Sequence, residues 1–130
     1  MINNRAMENN FIAVMVSTPD GGWFEMVPNE LESFQRIVGG YIECVDLGHG
    51  ICLICDEEGK LKGRPVNPYA TFYAQNAYRQ TGRMFRDVIV GDVAFVGYDG
   101  GEEFTQLTPE QAKWMRQMFD EAEDDREESI

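Results

Sequence analysis

The sequence predicts an α+β domain: a mostly antiparallel sheet built from hairpins, with two or three helices packed on one face of it. Three observations lead there. Short β-rich runs recur in pairs around turn residues, Phe11–Ser17 with Trp23–Val27 and Tyr41–Leu47 with Ile51–Asp56. Capping residues precede helical patterns at Asn29, Asn67 and Thr108. A chain of 130 residues with 43% hydrophobic content is one domain's worth and can bury a core without disulfide or metal staples.

The elements follow in order. Residues 1–10 are polar and are expected to form a flexible N-terminus, 11–122 a single domain, and 123–130 an acidic disordered tail. After the first β run, Pro19-Asp20-Gly21-Gly22 is a strong turn and Trp23–Val27 returns as the second arm. Asn29 with Glu32 resembles a capping box, and Leu31, Phe34, Ile37 and Val38 fall on one helical face that Gly39-Gly40 ends. Gly48-His49-Gly50 joins the second hairpin as a three-residue loop. Asn67-Pro68 opens a helix expected to reach about Gln80. Val88–Gly97 is the most strand-like stretch, with Gly91 marking a bulge, and Glu103–Leu107 supplies an edge strand. Thr108-Pro109-Glu110-Gln111 combines a cap, a first-turn proline and a capping-box glutamine. The helix it opens is expected to end near Ala122 and to bury Trp114, Met115, Met118 and Ala122.

Charge and cysteine content narrow the setting. The net charge is −12, and half of it lies in Asp120–Ile130. Such a surface repels nucleic acid, so no direct DNA binding is expected. No apolar run approaches the ~20 residues of a membrane helix, and the first residues lack the regions of a signal peptide. The chain is therefore expected in the cytoplasm, away from membranes. Cys44, Cys52 and Cys55, an odd number, are expected to be reduced thiols.

Three features in order carry a family resemblance: Val38-Gly39-Gly40-Tyr41-Ile42-Glu43, the turn Asp56-Glu57-Glu58-Gly59-Lys60-Leu61, and Asp87-Val88-Ile89-Val90-Gly91-Asp92-Val93. With Asn67-Pro68-Tyr69-Ala70-Thr71 between the second and third, the chain from Phe11 to Phe119 resembles a family of small proteins of unknown function from bacteria, their phages and mobile elements. The resemblance implies a phage or mobile-element setting, with the host cytoplasm as its location. It implies no catalytic residues.

The segment most suggestive of a ligand is basic. Lys60, Lys62, Arg64, Arg79, Arg83 and Arg86 are six of the eleven basic residues, and no Asp or Glu falls among them. Aromatic residues interleave with them, Tyr69, Tyr73 and Tyr78 in particular. Arginine forks bind phosphate and aromatic rings stack on bases, so these nine residues form a candidate nucleotide site. The plainer alternative is that the cations pair with the protein's own carboxylates or with an oligomer partner.

Catalytic and metal chemistry have less support. Cys44, His49, Cys52 and Cys55 could ligate zinc by type, but Cys52 and Cys55, three apart on a strand, point to opposite faces. His49, the single histidine, sits in a glycine-flanked loop with no visible nucleophile. No catalytic residue, metal or cofactor is therefore expected.

Three functions stay open. The first is a non-catalytic phage or mobile-element protein that sequesters a phosphate-bearing nucleotide signal of host defence. The second is an acidic inhibitor that occupies the nucleic-acid groove of a host protein. The third is a small nucleotide hydrolase. Unpaired sheet edges also favour a homo-oligomer.

Overall fold

The computed structural model describes residues 10–128, with the side chains of the terminal helix described up to residue 124. The expected flexible N-terminus therefore lies outside the described residues apart from Asn10. Strands β1 (Phe11–Thr18) and β2 (Gly21–Pro28) form a hairpin in unbroken register from Phe11↔Pro28 to Thr18↔Gly21. Helix α1 (Leu31–Val38) follows. Its N-cap is Glu30, without a side-chain cap bond, and not Asn29 as expected. The Asn29 amide is engaged elsewhere and donates to the Phe104 carbonyl at 2.8 Å. Gly39 ends the helix in the left-handed region at φ 79°.

The second hairpin pairs β3 (Ile42–Gly48) with β4 (Ile51–Asp56) around His49, with a register shift between Asp46 and Gly48. Helix α2 spans Pro68–Gln80. Strand β5 is Val93–Tyr98, shorter than the expected Val88–Gly97. Gly91 has φ 75°, which breaks the extended run, and only an isolated bridge, Val66↔Val90, pairs the residues before it. Strand β6 (Phe104–Thr105) and helix α3 (Pro109–Glu128) complete the chain. The capping box of α3 forms as its sequence dictates. The Thr108 amide donates to Gln111 Oε1 at 2.9 Å, and the Gln111 amide donates to Thr108 Oγ1 at 3.1 Å. The helix continues past Ala122 to Glu128, because Glu, Asp and Arg carry no helix-breaking geometry and neither Gly nor Pro intervenes.

All strand pairs are antiparallel, in the order β2-β1-β5-β4-β3, with β6 pairing the end of β5. The fold is thus α+β, a hairpin-built sheet with three helices. The helices do not share one face. Helix α1 covers one side, packing Phe34 and Val38 on Val14, Val16, Ile54 and Val96. Helices α2 and α3 cover the other, with Tyr73, Ala74 and Met115 over Met15, Leu53 and Phe95. The cause lies in β5. Val93, Ala94, Phe95 and Val96 are all fully buried, and alternate residues of a strand point to opposite faces, so each face needs a cover. Among the described residues no helix is long and apolar enough to cross a membrane.

Candidate functional site

The acid-free basic stretch divides in three. Its first part forms a charge node on Asp56, the last residue of β4. That carboxylate is buried, with 1% of its side chain exposed. It accepts from Lys62 Nζ at 2.8 Å, from Arg64 Nε at 2.9 Å and from the Glu58 amide at 2.9 Å. Burial works to raise its pKa. The bonds from Lys62, Glu58 and Arg64 overcome that and hold it at about 2. Arg64 also donates to the Gly39 carbonyl at 3.0 Å. Its side chain lies so close to Gly39 and Gly91 that a Cβ at either would come within 2.8 Å of it. Lys60 pairs with Asp87 across an exposed gap, and this bond with the Val88 amide lowers the Asp87 pKa.

The node explains why the sequence pieces that carried the resemblance occur in one chain. Gly39 and Gly40 leave room for Arg64, Lys62 and Asp56. The turn after Asp56 supplies the Glu58 amide. Asn67, fully buried, accepts from the Ala70 amide and donates to the Ser17 and Gly91 carbonyls at 3.1 and 2.9 Å. Thr71 Oγ1 accepts from the Ile89 amide at 3.0 Å. These motifs build a structural knot that fastens residues 87–91 to the sheet and to α2.

The second part, on α2, points Tyr69 and Tyr73 inward. Tyr69 is stacked on Phe119 at 5.8 Å, and its hydroxyl donates to the Glu123 carboxylate. Tyr73 is buried against Phe95 and Trp114, and burial pushes its hydroxyl pKa up. Both rings belong to the core between α2, α3 and the sheet and do not face the cations around Asp56.

The third part lies at the other end of the β3–β4 hairpin. Arg83 sits with its guanidinium 4.0 Å from the Tyr78 ring centroid and donates to Thr81 Oγ1 at 2.9 Å. It also approaches Gly48, at the far end of the ladder from Asp56. At ~3.3 Å per strand residue, the Arg83 and Arg64 groups are separated by roughly 20 Å. Tyr78 packs edge-on to Phe85 at 5.2 Å. Arg79 occupies the last turn of α2, and Arg79, Arg83 and Arg86 are exposed with no carboxylate partner among the described residues. Of the nine candidate residues, the structure therefore brings Tyr78 and Arg83 together, beside Arg79, and sends Lys60, Lys62 and Arg64 to carboxylates.

Sequence reasoning missed Asp56 and Asp87. The available sign was their position: Asp56 stands shortly before the acid-free stretch and Asp87 directly after it, and Asp56 takes Lys62 and Arg64 from it while Asp87 takes Lys60. The cysteines are quiet. Cys52 faces the α1 core and Cys55 the opposite one, and burial first, then nearby negative groups, pushes both thiols up to about 12. His49 lies 5.1 Å from the Trp114 ring. Gln111 holds the loop by donating to the His49 and Gly50 carbonyls at 2.9 and 3.1 Å.

The class is thus a small α+β protein with a structural charge node and a separate aromatic–arginine end. The chain belongs to the family described as a domain of unknown function, DUF3846, whose pattern matches residues 12–120. No curated protein and no solved structure matches it significantly.

Proposed function

We propose that this chain is a non-catalytic binding protein that takes a phosphate-bearing nucleotide at the Tyr78–Arg83 end. The observation that carries the reading is the Arg83 guanidinium resting on the Tyr78 ring without a carboxylate partner among the described residues, in a chain of net charge −12. An exposed cation–π contact is worth only ~0.5–1 kcal/mol. A base can take the place of Arg83 on the ring while the guanidinium turns to a phosphate, exchanging that contact for charge-assisted hydrogen bonds. Arg79 and Arg86 add donors on either side in sequence. The family resemblance supports a phage or mobile-element setting, where such a protein would sequester a nucleotide signal of host defence.

Calorimetric titration with mono-, di- and cyclic nucleotides tests the reading. The wild-type chain should bind at least one, and the double substitution Arg79→Ala, Arg83→Ala should weaken it by about tenfold or more, on the order of 1.4 kcal/mol. No measurable affinity in the wild-type chain ends the proposal. Product formation during the titration, with or without divalent metal, would make the chain a hydrolase instead.

A second reading, an acidic inhibitor of a nucleic-acid-binding host protein, draws support from α3. Its acidic C-terminal turns are helical to Glu128, so the negative charge is carried on an ordered rod that could lie in a basic groove.

A further inference from the structure

A cleft of about 250 Å³ opens between the β3–β4 hairpin and residues 85–90, and reaches the Tyr78–Arg83 end at Phe85. Its floor is Val45 and Cys55. Val45 pairs with Leu53, and Cys55 with Glu43, on the sheet face that carries α2 and α3. Phe85, Val88 and Val90 line the opposite wall. At the mouth, Leu61 and Val88 are 87% and 41% exposed, a concentration of bare aliphatic surface on a strongly acidic protein.

The rim has a definite sign. Glu43, Glu57 and Asp87 border the cleft, and the one cation there, Lys60, is already paired with Asp87. Asp56 turns its charge away to Lys62 and Arg64. The Cys55 thiol is neutral, so the floor carries no charge. An anion entering this cleft meets Glu43 and Glu57, which have no cation partner among the described residues, whereas a cation meets partners. The volume lies below the ~300–1,000 Å³ of sites that hold drug-sized molecules, so the occupant is small.

We propose that this cleft is a binding site for a small organic amine, its ammonium group held by Glu43 and Glu57 and its apolar body laid on Val45, Val88 and Val90. The Lys60–Asp87 pair spans the mouth. Both side chains are more than half exposed, and such pairs contribute only ~0–1 kcal/mol, so the mouth opens at little cost. The cleft shares Phe85 with the Tyr78–Arg83 end but selects the opposite charge, so binding of an amine and binding of a nucleotide are distinguished by probe.

Methyl NMR on the full chain tests it, with phenethylamine, phenethyl alcohol and phenylpropionate as probes. The amine should shift the methyls of Val45, Val88 and Val90 and leave Val14 and Val27, on the α1 side, unmoved. The alcohol should bind about tenfold more weakly, and the acid should give no shift. Glu43→Gln with Glu57→Gln, both exposed positions, should reduce the affinity for the amine to that for the alcohol. Val45→Phe should fill the floor and abolish both. Three results would overturn the proposal: no shift of these methyls at millimolar amine, equal binding of the acid, or an amine affinity unchanged in the Glu43, Glu57 double variant.

Discussion

Asp56 decides the fate of two of the six basic side chains in the stretch from Lys60 to Arg86. A carboxylate with 1% of its side chain exposed is costly unless donors surround it, and Lys62, Arg64 and the Glu58 amide do so. Its pKa is about 2 in the folded chain against an ordinary 3.8. A depressed carboxyl pKa stabilises the fold fully above the unfolded value. That contribution is lost as pH falls from about 4 towards about 2. Asp56→Asn should therefore destabilise the protein by about 2 kcal/mol at neutral pH, less than a fully buried pair would lose because both cations keep about a third of their surface in water. Denaturant midpoints measured between pH 6 and pH 2 should also fall less steeply for the variant than for the wild type. Parallel acid limbs would show that the node contributes nothing specific.

At the scale of elements, Asn67 does more than cap α2. Its side chain joins that helix to β1 through Ser17 and to the β5 approach through Gly91. Asn67→Ala removes a cap and leaves buried carbonyls unpaired, so a loss of about 3 kcal/mol is expected in urea unfolding, against ~1 for a cap alone. A loss of only a cap's worth would mean that the other two bonds are dispensable. Helix α3 sets the terms for testing the inhibitor reading. Ala122 is buried and Glu123 receives the Tyr69 hydroxyl, so a truncation must begin at Asp124 to spare the core. That truncation should keep the melting temperature and weaken salt-sensitive competition with duplex DNA for a basic DNA-binding protein. Undiminished competition would remove the helix from the mechanism.

These elements also show how far a sequence can be read. Helix α2 begins and ends where Asn67-Pro68 and the following pattern place it, and the α3 capping box closes as written. Such signals act within a single turn. Asn29 failed as a cap because Phe104, distant in sequence, captures its amide. Half of the expected Val88–Gly97 strand lies outside β5, with only the Val66↔Val90 bridge to pair it, because Gly91 turns to positive φ beside Arg64. In the candidate site, Tyr78 and Arg83 were legible because they are close in sequence. The core location of Tyr69 and Tyr73 was not, because it depends on where α3 packs.

For the whole molecule, the net charge of −12 is a standing repulsion across a small body. The Debye length shrinks from ~10 Å at 0.1 M salt to ~3 Å at 1 M. Repulsion between distant carboxylates should fade first, while the buried Asp56 node is little screened. The melting temperature should accordingly rise by a few degrees between low and high sodium chloride. A fall would mean that exposed pairs such as Lys60–Asp87 outweigh the repulsion.

By itself the sequence determined the hairpins, the helix starts at Pro68 and Pro109, the acidic surface and the existence of one acid-free basic segment, because each depends on residue type and near neighbours. Only the tertiary structure decided that helices cover both sheet faces, that Lys60, Lys62 and Arg64 turn to Asp87 and Asp56, and that Arg83 is left on Tyr78. The physical reason is that a charge pairs with whatever the packed chain brings within a few ångströms. For Lys60 that partner stands 27 residues away, beyond the reach of any local pattern.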